Sequence, residues 1–159
     1  MEILEEIAPL LSSLAASSHV YAKWGGISDT GIAEQVFELV AVAQGDWAHQ
    51  AVAGAVGPAS VREIESALEP VDEAGAIELM TNLSAFDLVS SRPLRDPDHA
   101  RRAATRVAKL LGRGTNWVTN TEGMVNGRAW TPVTRHGIDI VIAGTTAEFF
   151  VILLALGDD

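Results

Sequence analysis

The segment that decides the fold covers residues 138–156, which read IDIVIAGTTAEFFVILLAL. In its first part Ile138, Ile140 and Ile142 recur at every second position, which is typical of a β-strand with one face against a core. The residues at 149–156 are apolar without a break, which predicts a second strand covered on both faces. We expect helices to cover one face of this last strand and leave the other to a subunit partner.

The same segment is the only one in the chain that suggests a membrane span. Asp139 and Glu148 interrupt it, and a charged residue near the centre of a bilayer costs at least about 2.5 kcal/mol. The sequence MEILEE at residues 1–6 has neither the basic start nor the apolar run of a secretory signal. We therefore expect a cytoplasmic protein. The absence of cysteine from the chain is compatible with a reducing compartment.

Before this segment the hydrophobic periodicity is helical. In the first helix, apolar residues three and four positions apart line one face: Ile3, Ile7, Leu10, Leu11 and Leu14. Three further helix starts are predicted by capping residues, namely Ser60 with Glu63, Asp72, and Asp96 followed by Pro97. The basic helix that begins at Pro97 is expected to end at Gly112.

The period changes from helix to strand after Gly114. We expect a short strand over 117–119, a tight turn at Asn126-Gly127, and a strand over 128–134 that Pro132 restricts to an edge or a bulge. The predicted fold is therefore α+β, with about five N-terminal helices packed on a C-terminal three- or four-stranded antiparallel β-meander. We expect one domain over residues 1–159, mainly helical over 1–112 and a β-meander over 113–159.

The charge of the chain is unevenly distributed. The net charge is −10 over 159 residues; residues 1–91 hold fourteen acidic side chains against two basic ones, and residues 92–159 hold seven against nine. Nucleic acid is not an expected partner, because phosphate backbones require clustered Lys and Arg. The densest acidic run suits either a solvated face or a surface that binds a basic protein, and it comprises Glu63, Glu65, Glu69, Asp72, Glu73 and Glu78.

No motif in the sequence specifies a reaction, so no catalytic residue can be named. The four histidines lie far apart, which gives no metal site, and we expect no cofactor. A candidate ligand site, alternative to the acidic surface, consists of Arg135, His136 and Asp139. Together their guanidinium, imidazole and carboxylate could support acid–base chemistry. However, Asp139 follows His136 by three positions, an odd step, so a regular strand would place them on opposite faces and leave Asp139 exposed.

Three functions agree with these patterns. The leading hypothesis is a cytosolic inhibitor that binds a basic protein through its acidic helices, such as an immunity protein that neutralises a toxin; it needs no catalytic residues. The second is a small-molecule-binding or enzymatic domain that uses Arg135, His136 and Asp139. The third is an adaptor that forms a homodimer through the C-terminal strand.

Overall fold

The computed structural model of the chain describes residues 2–27, 30–46, 60–88, 90–121 and 138–157. Within them lie five helices: α1 (Glu2–Leu14), α2 (Ile32–Asp46), α3 (Val61–Ala67), α4 (Glu73–Ala85) and α5 (Pro97–Leu111). The same residues contain five strands: β1 (Val20–Gly26), β2 (Glu69–Val71), β3 (Asn116–Thr119), β4 (Ile138–Thr145) and β5 (Phe149–Gly157). The α+β class predicted from the sequence is confirmed.

The strands form one antiparallel sheet in the order β1-β5-β4-β3-β2. Its last three strands are neighbours in chain order, as in a meander: β3 pairs with β4 through Trp117 and Gly144, and β4 pairs with β5 through Ile142 and Leu153. The sheet nevertheless has five strands rather than three or four. Its two edge strands come from the part of the chain that is predicted to be mainly helical, so helices and strands are interspersed along the chain rather than arranged in two successive blocks.

The two edge strands were missed because their local signals are weak. The sequence predicts no strand where β1 lies, and most residues of β1 are only half-buried. Strand β2 has three residues and contains Pro70, which is tolerated at a sheet edge because its missing N–H is not needed by a further strand. The hydrogen-bonding partners of β1 and β2 lie in β5 and β3, which are distant in sequence.

Helices cover both faces of the sheet. Alternate residues of β4 and β5, such as Ile142 and Leu153, belong to a hydrophobic core shared with α1, α4 and α5. Their neighbours in sequence, such as Val141 and Ile152, belong to a second core shared with α2 and α3. The fold therefore has three layers, with the sheet in the middle.

This arrangement corrects the expectation that one face of the C-terminal strand is left for a partner subunit in a homodimer. Strand β5 was expected to leave one face for a partner subunit, but α2 and α3 of the same chain cover that face. Both edges of β5 are also occupied, by β1 and by β4. A dimer seam would need a free face or a free edge, and the described part of the chain leaves neither on β5.

The predicted helix caps are confirmed. The Ser60 hydroxyl accepts a hydrogen bond from the Glu63 N–H at 3.2 Å, and the Asp72 carboxylate accepts one from the Gly75 N–H at 2.7 Å. Asp96 accepts from the Asp98 N–H at 3.0 Å at the start of α5. Gly112 follows α5 with a φ of 93°, a conformation that favours glycine. Local capping chemistry therefore sets where these helices begin and end.

The guanidinium of Arg95 joins α1 to α4. It lies just before α5 and donates to the Ser13 carbonyl, to the Ser13 hydroxyl at 3.1 Å and to the Ser84 hydroxyl at 3.2 Å. The carbonyl of Ser13 is in the last turn of α1, where no helical N–H is available to bond it. Arg95 therefore provides the missing hydrogen-bond donor at the C-terminal end of α1 and links that end to α4.

None of the helices in the described ranges has the length and apolar character that a bilayer crossing needs. The predicted turn at Asn126-Gly127 and the predicted strand over 128–134 lie outside the described residues.

Candidate protein-binding site

The predicted partner-binding acids lie around the β2 edge of the sheet. Glu63 and Glu65 are on α3, which packs on one face, and Glu73 begins α4, which packs on the other. Glu69 is on β2 between them. Because β2 is the edge strand and joins α3 to α4 directly, these carboxylates extend from one helical layer, around the edge, to the other.

Two of the six acids have structural roles. Asp72 caps α4 through the bond to Gly75, and Glu78 accepts two hydrogen bonds from Arg101 of α5, at 3.0 and 3.3 Å. The hydrogen bond to Glu78 is the main reason that the pKa of Arg101 is raised above its usual value, and the charge of Glu78 adds to it. Asp72 and Glu78 therefore have partners within the fold.

The other four acids, Glu63, Glu65, Glu69 and Glu73, are exposed, and we call them the acidic edge. The ion pairs found among the described residues use Glu38, Glu78 and Glu6. No side chain of the acidic edge forms an ion pair within those residues. The acidic edge thus presents four carboxylates without an ion pair among the described residues, against the positive charge of Arg62 on α3. This excess of negative charge favours association with a positive surface.

An apolar cleft adjoins the acidic edge, between the start of α2 and α3. Its volume is about 230 Å³, and we call it the α2–α3 cleft. Half-buried apolar side chains from three elements line it: Ile32 of α2, Val61 and Leu68 at the two ends of α3, and Val118 of β3. Two exposed carboxylates complete the lining, Glu34 and Glu65, and Glu65 also belongs to the acidic edge. The cleft therefore combines a hydrophobic floor with negative charge.

Glu34 was not among the residues singled out in the sequence. It lies in the first turn of α2, where an acid is common because it complements the helix dipole. Only the packing of α2 against α3 brings Glu34 into a cleft with Glu65. No local signal in the sequence could have found this pairing.

A second, larger cleft lies along α5, with a volume of about 420 Å³. Long side chains of this one helix line it, including Arg101, Arg102, Arg106 and Lys109. Arg101 is held by Glu78 and Arg106 by Glu6 at 3.5 Å. Its described lining comes from one helix, and half of its cations already form ion pairs. This cleft is therefore a weaker candidate for a binding site than the α2–α3 cleft, although it is larger.

Of the alternative ligand site, only Asp139 lies within the described residues. Arg135 and His136 lie outside the described residues, so their distance to Asp139 is not described. Asp139 is 0% exposed, which corrects the expectation that it would be solvent-exposed. Its carboxylate accepts a hydrogen bond from Asn120 at 2.8 Å, and such a bond offsets part of the cost of burying a charged group.

Comparison of the chain with protein-family models, with curated proteins and with solved structures finds no match.

Proposed function

We propose that this protein is an inhibitor that binds a basic protein through the acidic edge, in the manner of an immunity protein that neutralises a toxin. The observation that carries the proposal is the acidic edge, whose four carboxylates form no ion pair within the described residues and extend across two helices and an edge strand. Inhibition by this route needs no catalytic group on the inhibitor, because covering a positive active surface is enough to exclude its substrate.

The charge of the edge and the adjoining cleft would have different roles in such a complex. Exposed charges mainly raise the rate of encounter with an oppositely charged partner, and salt weakens that effect. Affinity depends more on a desolvated central contact, which the apolar floor of the α2–α3 cleft could supply. A basic partner that fits both would bind quickly and dissociate slowly.

The alternative proposal is a small-molecule-binding or enzymatic domain around Arg135, His136 and Asp139. One observation favours it: Asp139 is fully buried, which is rare for an aspartate and calls for a structural or a functional role. The bond from Asn120 gives Asp139 a structural role as well, so we rank this proposal second.

The leading proposal predicts that a basic protein is captured from a lysate of the native organism. The captured protein would then be purified, and its binding and its inhibition measured with wild type and with a variant that neutralises the acidic edge: Glu63→Gln, Glu65→Gln, Glu69→Gln and Glu73→Gln. We expect the variant to bind at least about tenfold more weakly, mainly through a slower association rate.

A matched control removes the same amount of charge elsewhere, at four exposed acids: Glu5→Gln, Glu38→Gln, Asp98→Asn and Glu148→Gln. It should bind and inhibit like the wild type. Equal losses in the two variants would mean that only net charge matters, and capture of no basic protein by the wild type would contradict the proposal.

A further inference from the structure

We propose that the α2–α3 cleft receives an arginine side chain of the basic partner. The aliphatic part of the arginine would lie on the apolar floor, and its guanidinium would lie between Glu34 and Glu65. This inference rests on the proposed function, because it assumes a basic protein partner, and it identifies the side chain that anchors the complex.

The shape of the cleft suits a long, narrow side chain. Its floor is apolar, with Ile32, Val61, Leu68 and Val118 only half-buried, so all four retain surface that a ligand can cover. The elements that carry them are fixed by fully or nearly fully buried neighbours, Ala33 on α2 and Ile64 and Ala67 on α3. A pre-formed apolar cleft costs little conformational entropy to fill.

The charge of the cleft selects a cation. Glu34 and Glu65 reach it from two different helices, and neither forms an ion pair among the described residues. The start of α2 contributes a partial positive charge of roughly 0.5, which two full carboxylates outweigh. The described lining includes no Lys, Arg or His that would already neutralise these carboxylates.

Arginine fits these features better than lysine. Its planar guanidinium is more weakly hydrated than an ammonium group and presents several N–H donors, so it can bond to two carboxylates while its stem remains on an apolar surface. Arginine is also enriched among the residues that dominate binding energy at protein interfaces. An acidic or purely apolar side chain would leave the two carboxylates repelled or unpaired.

The first test uses a probe that does not depend on knowing the partner. N-acetyl-arginine amide is titrated into the isotopically labelled full chain, and the methyl NMR signals of Val61, Leu68 and Val118 are followed. We expect saturable shifts confined to the cleft, with weaker shifts from N-acetyl-lysine amide and almost none from the neutral citrulline analogue. The double variant Glu34→Gln/Glu65→Gln should bind the arginine probe at least about tenfold more weakly.

The control Glu5→Gln/Glu148→Gln removes the same charge from exposed positions outside the acidic edge and the cleft, and it should leave the arginine shifts unchanged. Methyl spectra and urea unfolding of both double variants verify that the fold is intact. Shifts of equal size from arginine and citrulline, shifts centred on another surface, or no shifts at all would overturn the inference.

Binding of the partner then separates this inference from the proposed function. If Glu34→Gln/Glu65→Gln retains full affinity for a captured basic protein while neutralising the acidic edge abolishes binding, the function stands and the arginine anchor is wrong. If the wild type captures no basic protein, the proposed function fails, and the inference about the partner fails with it whatever the probe shows.

Discussion

Gly144 of β4 lies directly against the ring of Trp117 on the neighbouring strand. A Cβ atom at position 144 would be 2.6 Å from Cζ3 and 2.7 Å from Cε3 of Trp117. Trp117 is almost fully buried, and among the described residues its indole N–H has no hydrogen-bond partner. Within the described part of the chain the ring is held by packing, which makes its contact with Gly144 sensitive to a single methyl group.

The substitution Gly144→Ala should therefore destabilise the protein. Because the ring must move within a packed core, we expect a loss of about 1–3 kcal/mol in the free energy of unfolding, measured in urea. Gly45→Ala, in α2, is the matched control. Beyond the backbone of its own helix, no atom of the described residues lies within 4 Å of the added Cβ, and the better helix propensity of alanine should stabilise by up to about 1 kcal/mol. If both variants lost stability equally, the contact with Trp117 would not be the cause.

At the scale of the elements, side-chain hydrogen bonds join the ends of β3 and β4. Asn120, just after β3, donates to the Asp139 carboxylate at 2.8 Å and accepts from the Val141 N–H at 2.9 Å. Thr119 donates to the Val141 carbonyl at 2.7 Å. All these groups are buried, so each bond satisfies a polar group that water does not reach.

Replacement of Asn120 by Ala should loosen this end of the sheet. It removes the partner of the Val141 N–H and one partner of a buried carboxylate, so we expect a loss of about 1.5–3 kcal/mol in the free energy of unfolding. Urea unfolding and amide hydrogen exchange at Val141 measure the two effects. The same change at Asn116, which is exposed at the start of β3, should cost much less; comparable losses would argue against a special role for Asn120.

At the scale of the whole molecule, acidic groups outnumber basic ones by 21 to 11. The ion pairs in the described part of the chain are exposed or half-exposed, so each contributes little to stability. The repulsion among the remaining acids is spread over the surface and is largest where they are crowded, as on the acidic edge. We infer that repulsion outweighs attraction in the folded protein.

The protein should therefore become more stable as salt is added. Raising the ionic strength from about 0.01 M to about 0.15 M shortens the Debye length from roughly 30 Å to about 8 Å. The shorter length weakens the repulsion among the carboxylates of the acidic edge. Thermal unfolding in NaCl should show a rising midpoint, and the variant with the neutralised acidic edge should show a smaller rise. A midpoint that falls with salt would mean that the ion pairs dominate.

Local chemistry allowed much of the fold to be predicted from the sequence. The caps at Ser60, Asp72 and Asp96 were found because each bond joins residues two or three positions apart. The last two strands were predicted because residues 138–142 have the period of a strand and residues 149–156 form a short, unbroken apolar run. The acidic run was visible as well, since its members are close in sequence.

Tertiary structure alone decided the rest, because the deciding contacts join residues that are far apart in the chain. Strand β1 exists through pairs such as Val20 with Ala155, and the second face of β5 is closed by α2 and α3 rather than by another subunit. Likewise, Glu34 and Glu65 share a cleft, and Glu78 is occupied by Arg101, only once the helices pack. Sequence patterns predict periodic elements and local hydrogen bonds. The surfaces that remain exposed are determined by the packing of segments that are distant in sequence.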